Sequence, residues 1–138
     1  MANLVRFGVS LEKELLDKLD ALKKRKGYPT RSEVIRALVR QEEVKRQWQE
    51  GEEVVGAVTL VYDHHRRQLI DKLTDIQHHY GHCIIASQHI HIDHHNCLEI
   101  IALRGSPSQL QELADRLRAV KGIKHGALTM TTTGRQLV

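Results

Sequence analysis

The chain has 138 residues, enough for one ordinary domain or two small ones, and 41% are hydrophobic. With one Phe and one Trp the core must be aliphatic, and the two cysteines, Cys83 and Cys97, are too few for a disulfide scaffold. No run approaches the ~18 apolar residues of a membrane span, and Met1 to Ser10 has neither the apolar stretch nor the cleavage site of a signal peptide. These features exclude a secreted mini-protein, a membrane protein and a disordered tail, and they imply a cytoplasmic protein.

Charge divides the chain. The net +4 lies wholly in residues 1–50, whereas residues 51–138 are neutral and hold all ten histidines. A basic, histidine-free front and a neutral, histidine-rich back imply two domains with different ligands, divided near residue 50. The basic front suits a polyanion.

Residues 4–11 alternate: Val5, Phe7, Val9 and Leu11 point one way, and Arg6, Gly8 and Ser10 the other. That predicts a half-buried strand. Leu15, Leu19 and Leu22 recur at helical spacing, and Gly27 with Pro29 behind it ends that helix near Lys26. Thr30-Arg31-Ser32-Glu33 reads as a capping box opening a second helix, with Ile35, Leu38 and Val39 as its apolar stripe. A lone strand leaves its backbone groups unpaired, so two copies would pair as an antiparallel ribbon.

Such a ribbon fits the major groove of DNA, with Arg6 suited to guanine and Ser10 to base edges. Arg31 and Ser32, at the start of the second helix, would meet a phosphate. A helical dimerisation module with a solvated Arg6 shares the same pattern. Residues 41–53 extend the second helix and then break into a linker, placing Trp48 near a domain junction.

Val54 to Tyr62 predicts a strand, and Leu69, Leu73 and Ile76 a helix ending near Gln77. Cys83 to Ile92 and Cys97 to Leu103 are strands. Ser106-Pro107-Ser108-Gln109 opens a helix carrying Leu110, Leu113 and Leu117, and Gly122 stops it. Ala127 to Thr133 is the last strand. The fold class is therefore α+β, with a C-terminal ferredoxin-like βαββαβ domain. One sheet face is left free in this arrangement, which implies an oligomer.

His89 and His91, two apart on a strand, share one face. A loop over 93–96 would pair Ile92 with Cys97 and turn the sulfur to the other face, whereas a loop over 92–96 pairs His91 with Cys97, where opposed Cβ atoms stand about 4.5–5.5 Å apart; a shared metal requires the second register. Two imidazoles and a thiolate then meet at one ion. His78 and His79 offer a fourth ligand, across an oligomer interface if not within one chain. His94 and His95, in the turn, read as solvent-facing or auxiliary, and Cys83 as a buried small residue. Mixed nitrogen and sulfur ligands suit Zn, Cu or Ni, and the choice turns on geometry.

The front pattern resembles the ribbon-helix-helix family of DNA-binding dimers over residues 4–42. The two halves together resemble the NikR family of nickel-responsive transcriptional regulators, most specifically from His89 through Ile100, preceded by Gln77-His78-His79. The resemblance implies an ACT-like C-terminal domain and a homotetramer, two ribbon-helix-helix dimers flanking a core of four such domains. It implies Ni(II) held in a square plane by His89, His91 and Cys97 of one subunit and His78 of another, with Tyr62 and Glu99 as supporting residues. Arg66 and Arg67 would touch the DNA backbone, and Arg6, Gly8 and Ser10 match the reading positions of the ribbon. A nickel-dependent repressor, bound to a palindromic operator of nickel-uptake genes, is the implied function.

Two departures stand out. Gly8 replaces a common Thr, so an operator sequence does not carry over, and Ala37 replaces an acidic partner of Glu33. The rival functions are a small-molecule-sensing ACT-type regulator and a metal-dependent enzyme using the His/Cys site. No His-Glu-x-x-His pattern supports the enzyme.

Overall fold

A computed structural model of the chain describes residues 3–138. It forms two compact units. One runs to Glu43 and takes in Gln136–Val138; the other is Val44–Arg135.

In the first unit, helix α1 spans Lys13–Lys26 and stops at Gly27, whose φ of 75° is left-handed. There the Tyr28 amide reaches back to the Lys23 carbonyl at 3.0 Å, the closure that a glycine after the helix permits. Helix α2 spans Arg31–Glu50. Thr30 Oγ1 accepts the Glu33 amide at 3.1 Å, as the cap requires. The Glu33 carboxylate pairs forward with Arg36 at 2.5 Å, so the cap works from Thr30.

The strand expected over 4–11 is not a ladder. Residues 3–12 carry no regular secondary structure, because strand order depends on a paired neighbour and the described residues of this unit supply none. Leu4, Val5, Phe7 and Val9 are each more than half exposed, and Leu38 and Val39 of α2 are also exposed. The apolar stripe read from the sequence is therefore uncovered, and the residue of α2 that one chain does bury here is Val34.

In the second unit the end of α2 brings Trp48 to 5% exposure, its indole Nε1 donating to the Thr131 carbonyl at 2.8 Å. The helix thus runs on to Glu50, where Gly51 turns the chain at a φ of 82°. Next come β1 (Val54–Asp63), α3 (Arg67–His79), a 3-10 turn (Gly81–Cys83), β2 (Ile84–His91), β3 (Asn96–Gly105), α4 (Pro107–Arg118) and β4 (Ile123–Thr131). The sheet order is β2-β3-β1-β4, with every neighbouring pair antiparallel. This is the ferredoxin-like arrangement expected of βαββαβ.

The last strand begins at Ile123 rather than Ala127, because it pairs along β1 from Tyr62 back to Val55. Helix α3 likewise continues past Gln77 to include His78 and His79. Ser106 accepts the Gln109 amide at the start of α4, with Pro107 in the first turn.

Even-numbered residues of β1 and odd-numbered residues of β3 form the core face: Val54, Val58, Leu60, Tyr62, Cys97, Ile101 and Leu103 are at most 1% exposed. Leu69 and Leu73 of α3 and Leu110, Leu113 and Leu117 of α4 pack in the same cluster. Cys83 belongs to it at 1% exposure, as a buried small residue should. The opposite face, with Val55, Val61, Ile90, Leu98, Ile100 and Ala102, is half-buried.

Candidate metal centre

Register decides which side chains share a face. His91 pairs with Cys97, and Cys97 with Tyr62; one step along, His89 pairs with Glu99, and Glu99 with Leu60. Directly paired residues project to the same side of a sheet. His89, His91, Cys97, Glu99 and Tyr62 therefore lie on the helix-covered face, as a loop over 92–96 requires. The Ile92 and Asp93 amides close that loop on the Asn96 carbonyl at 3.0 and 3.3 Å.

Behind the histidines sits a buried carboxylate. Glu99 is 3% exposed and accepts from the Tyr62 hydroxyl at 2.7 Å and from Gln77 Nε2 at 3.0 Å. A buried charge needs such donors. His89 Nε2 stands 3.1 Å from Tyr62 Oη and 3.4 Å from Glu99 Oε1, so its ring is anchored by the same network. Burial pushes the Tyr62 hydroxyl pKa far up, and the bond to Glu99 adds to it. Burial also raises the Cys97 thiol above its ordinary range, with the Tyr62 hydrogen bond opposing. Cys97 must therefore lose a proton to ligate a metal, which makes binding weaker as pH falls.

The ligand atoms do not close on one point within a single chain. His89 is half-exposed, and the ring of His91 stands 4.7 Å from that of His64. Among the described residues, the one set of three or more His, Cys, Asp or Glu donors within 4.8 Å of one another is Asp63, His65 and His95. His78 is exposed in the last turn of α3. With His89, Gln77, Ser87, Tyr62 and Glu99 it borders a cleft of about 510 Å³ between α3 and the sheet.

Gln77 escaped the sequence reading as a supporting residue. A signal existed: it lies four residues after Leu73 on the inward stripe, where a polar side chain needs a partner. Asp63 and His65 escaped as neighbours of His95 because their proximity depends on the end of β1 meeting the hairpin turn.

The residues expected to meet DNA are placed as follows. Arg6, Gly8 and Ser10 are exposed. Arg31 does not present an open fork: its Nε and Nη2 each donate to the Asp20 carboxylate at 2.9 Å, while Ser32 is exposed beside it. Arg66 caps α3 and Arg67 begins it. Both line a cleft of about 430 Å³ together with Lys72 and Lys121. The two lysines come from separate elements, which hid the patch from a linear reading.

Two helices behind an exposed apolar segment, followed by a ferredoxin-like domain with an imidazole–thiol face, suit a metal-responsive regulator. Comparison with known proteins agrees. Residues 5–46 match the family described as "Ribbon-helix-helix protein, copG family", and residues 55–131 match "NikR C terminal nickel binding domain". Relatives named as nickel-responsive regulators include one from Geobacter sulfurreducens, 51% identical over 138 residues and 99% of each chain. Another, from Syntrophus aciditrophicus, is 48% identical over 135 residues and 98% of each chain.

An uncharacterized protein from Thermotoga maritima shares the fold at 12% identity and a TM-score of 0.52, over 57% of this chain and 98% of that one. The chain belongs to the NikR family of nickel-responsive regulators. It is a regulator and not an enzyme, and its metal is Ni(II). No helix among the described residues is long and apolar enough to cross a membrane.

Proposed function

We propose that the protein is a nickel-dependent repressor that binds a palindromic operator of nickel-uptake genes as a cytoplasmic homotetramer, a dimer of ribbon-helix-helix dimers. The observation that carries this is the His91–Cys97 pairing, which puts two imidazoles and a thiol on one sheet face. The donor set fits Ni(II), which accepts mixed nitrogen and sulfur ligands in a plane. His89, His91 and Cys97 would hold the ion from one chain and His78 from a second, since the four donors do not converge within one. Bound there, Ni(II) supplies a crosslink between two subunits.

The protein's own residues do the rest. Tyr62, Glu99 and Gln77 fix the His89 ring, so the ligand is oriented before binding. The half-buried sheet face and the uncovered stripe of Val5, Phe7, Leu38 and Val39 support oligomer formation through both units. In the dimer, the outward Arg6, Gly8 and Ser10 read bases, while the second-helix N-terminus at Arg31 and Ser32 faces phosphate through its backbone amides. Arg66 and Arg67, at the start of the helix whose last turn carries His78, contact the DNA backbone. The shared ligands of two subunits would thus favour one arrangement of the DNA-binding dimers over others once joined.

The test is a nickel titration of DNA binding. Fragments are selected from a random-sequence pool by the nickel-loaded protein, and binding is followed by fluorescence anisotropy. Cys97→Ala should lose the nickel response and the thiolate-to-metal absorption while keeping its fold. Nickel-dependent binding by Cys97→Ala at wild-type strength would overturn the assignment.

A further inference from the structure

The segment that follows β4 turns back along α2. The Thr132 and Thr133 hydroxyls accept the amides of Gly134 and Arg135 at 3.2 and 3.4 Å, and Gly134 bends the chain with a left-handed φ of 82°. Gln136–Val138 thereby belong to the first unit, although β4 belongs to the second. We propose that residues 132–138 form a strap that stiffens α2 where this helix passes from the first unit into the second, and that the stiffened helix couples DNA binding to the metal face.

Both ends of the strap are fixed on the same helix. At one end the Thr131 carbonyl accepts from the Trp48 indole at 2.8 Å. At the other the Val138 carbonyl accepts from Arg40 Nε at 2.8 Å. Leu137 is half-buried, and with Val5, Ile35, Val39 and Arg40 it lines a groove of about 600 Å³. Arg40 and Trp48 lie roughly 12 Å apart along α2 at the usual helical rise. The chain from Thr131 to Val138 spans up to roughly 25 Å when extended, so it reaches both points without strain.

The helix needs support at this place. It belongs to the first unit up to Glu43 and to the second from Val44. Past that boundary Val44 packs against the sheet core, and Gln47 and Trp48 are buried. Just before it, residues 38–42 are all exposed. A short helical stretch with few buried contacts opens locally at little cost. The strap gives that stretch a hydrogen bond at Arg40 and an apolar neighbour in Leu137, so bending there becomes more costly. A helix that keeps its shape transmits a bias from one unit to the other, whereas a loose joint would dissipate it. This last step rests on the nickel-dependent DNA binding proposed above.

Hydrogen–deuterium exchange of the metal-free full chain is compared with that of a truncation removing residues 136–138 and of Arg40→Ala. Loss of the strap's hydrogen bond should speed exchange of the α2 amides from Arg40 to Gln47 by roughly 2- to 10-fold in both variants, with exchange in β1 and β3 unchanged. On nickel addition the truncated protein should keep the thiolate-to-metal absorption of wild type, which reports an intact metal face, and show a smaller nickel-dependent gain in DNA affinity. Equal exchange in the truncated protein and wild type overturns the strap. Faster exchange with an undiminished nickel-dependent gain overturns the coupling, because α2 would then not carry it. A wild type with no nickel-dependent DNA binding refutes the proposed function instead, and the exchange comparison then decides the strap by itself.

Discussion

Replacing Tyr62 by Phe removes one oxygen and leaves the buried ring in place. Tyr62 is 1% exposed, and its hydroxyl donates to Glu99 at 2.7 Å and touches His89 Nε2 at 3.1 Å. A hydrogen bond to a charged group contributes roughly 1.5–3 kcal/mol. Glu99 keeps its bond from Gln77, so the carboxylate is short of one donor but not stripped. The expected loss is therefore about 2 kcal/mol.

In a Glu99→Gln background the same substitution breaks a neutral bond worth about 1 kcal/mol. The double-mutant cycle should then show a coupling energy of about 1 kcal/mol. Urea unfolding of the metal-free protein reads this at fixed protomer concentration, since oligomer formation shifts apparent stability. The single tryptophan, Trp48, is buried against the sheet unit and reports its unfolding. A loss below about 0.5 kcal/mol, or a coupling indistinguishable from zero, would refute the view that Tyr62 stabilises a buried carboxylate.

Other substitutions test separate parts of the molecule. Gly56→Ala would bring a Cβ to 2.9 Å from the Thr129 carbonyl oxygen and 3.4 Å from the Trp48 ring. Because the nearest atom is backbone, it should cost about 1–3 kcal/mol, and an unchanged urea midpoint would contradict this close approach. The hydrogen bond from Arg31 holds the Asp20 carboxyl below its ordinary value of 3.8. A depressed carboxylate stabilises the fold above its unfolded pKa and loses that contribution as pH falls through the folded value. An NMR titration of Asp20 should therefore give a midpoint below 3.8 that returns toward 3.8 in Arg31→Ala; equal midpoints in both proteins would exclude the pair. Arg6→Ala should weaken binding to the selected DNA by about 1–3 kcal/mol, with relaxed sequence preference. Arg66→Ala should weaken all DNA alike and flatten the salt dependence, and an unaltered salt slope would remove Arg66 from the phosphate contacts.

Features that depend on near neighbours were legible in the amino-acid order alone. Gly27 ends α1 in a left-handed conformation, and Thr30 and Ser106 cap the helices that follow them. Each is a contact within a few residues, so local spacing reveals it. The order βαββαβ and the common face of His89 and His91 follow from periodicity in the same way. Tertiary structure decided what joins distant segments. Trp48 settles on the sheet because the Thr131 carbonyl is there to receive it. Glu99 is stable in the core because Tyr62 and Gln77 arrive from another strand and a helix. Asp63, His65 and His95 meet because the chain leaving β1 and the hairpin turn share a backbone hydrogen bond. Residues 4–11 show the limit most plainly. Their alternation is a property of one segment, but a ladder is a property of two, and no segment among the described residues of this unit pairs with them.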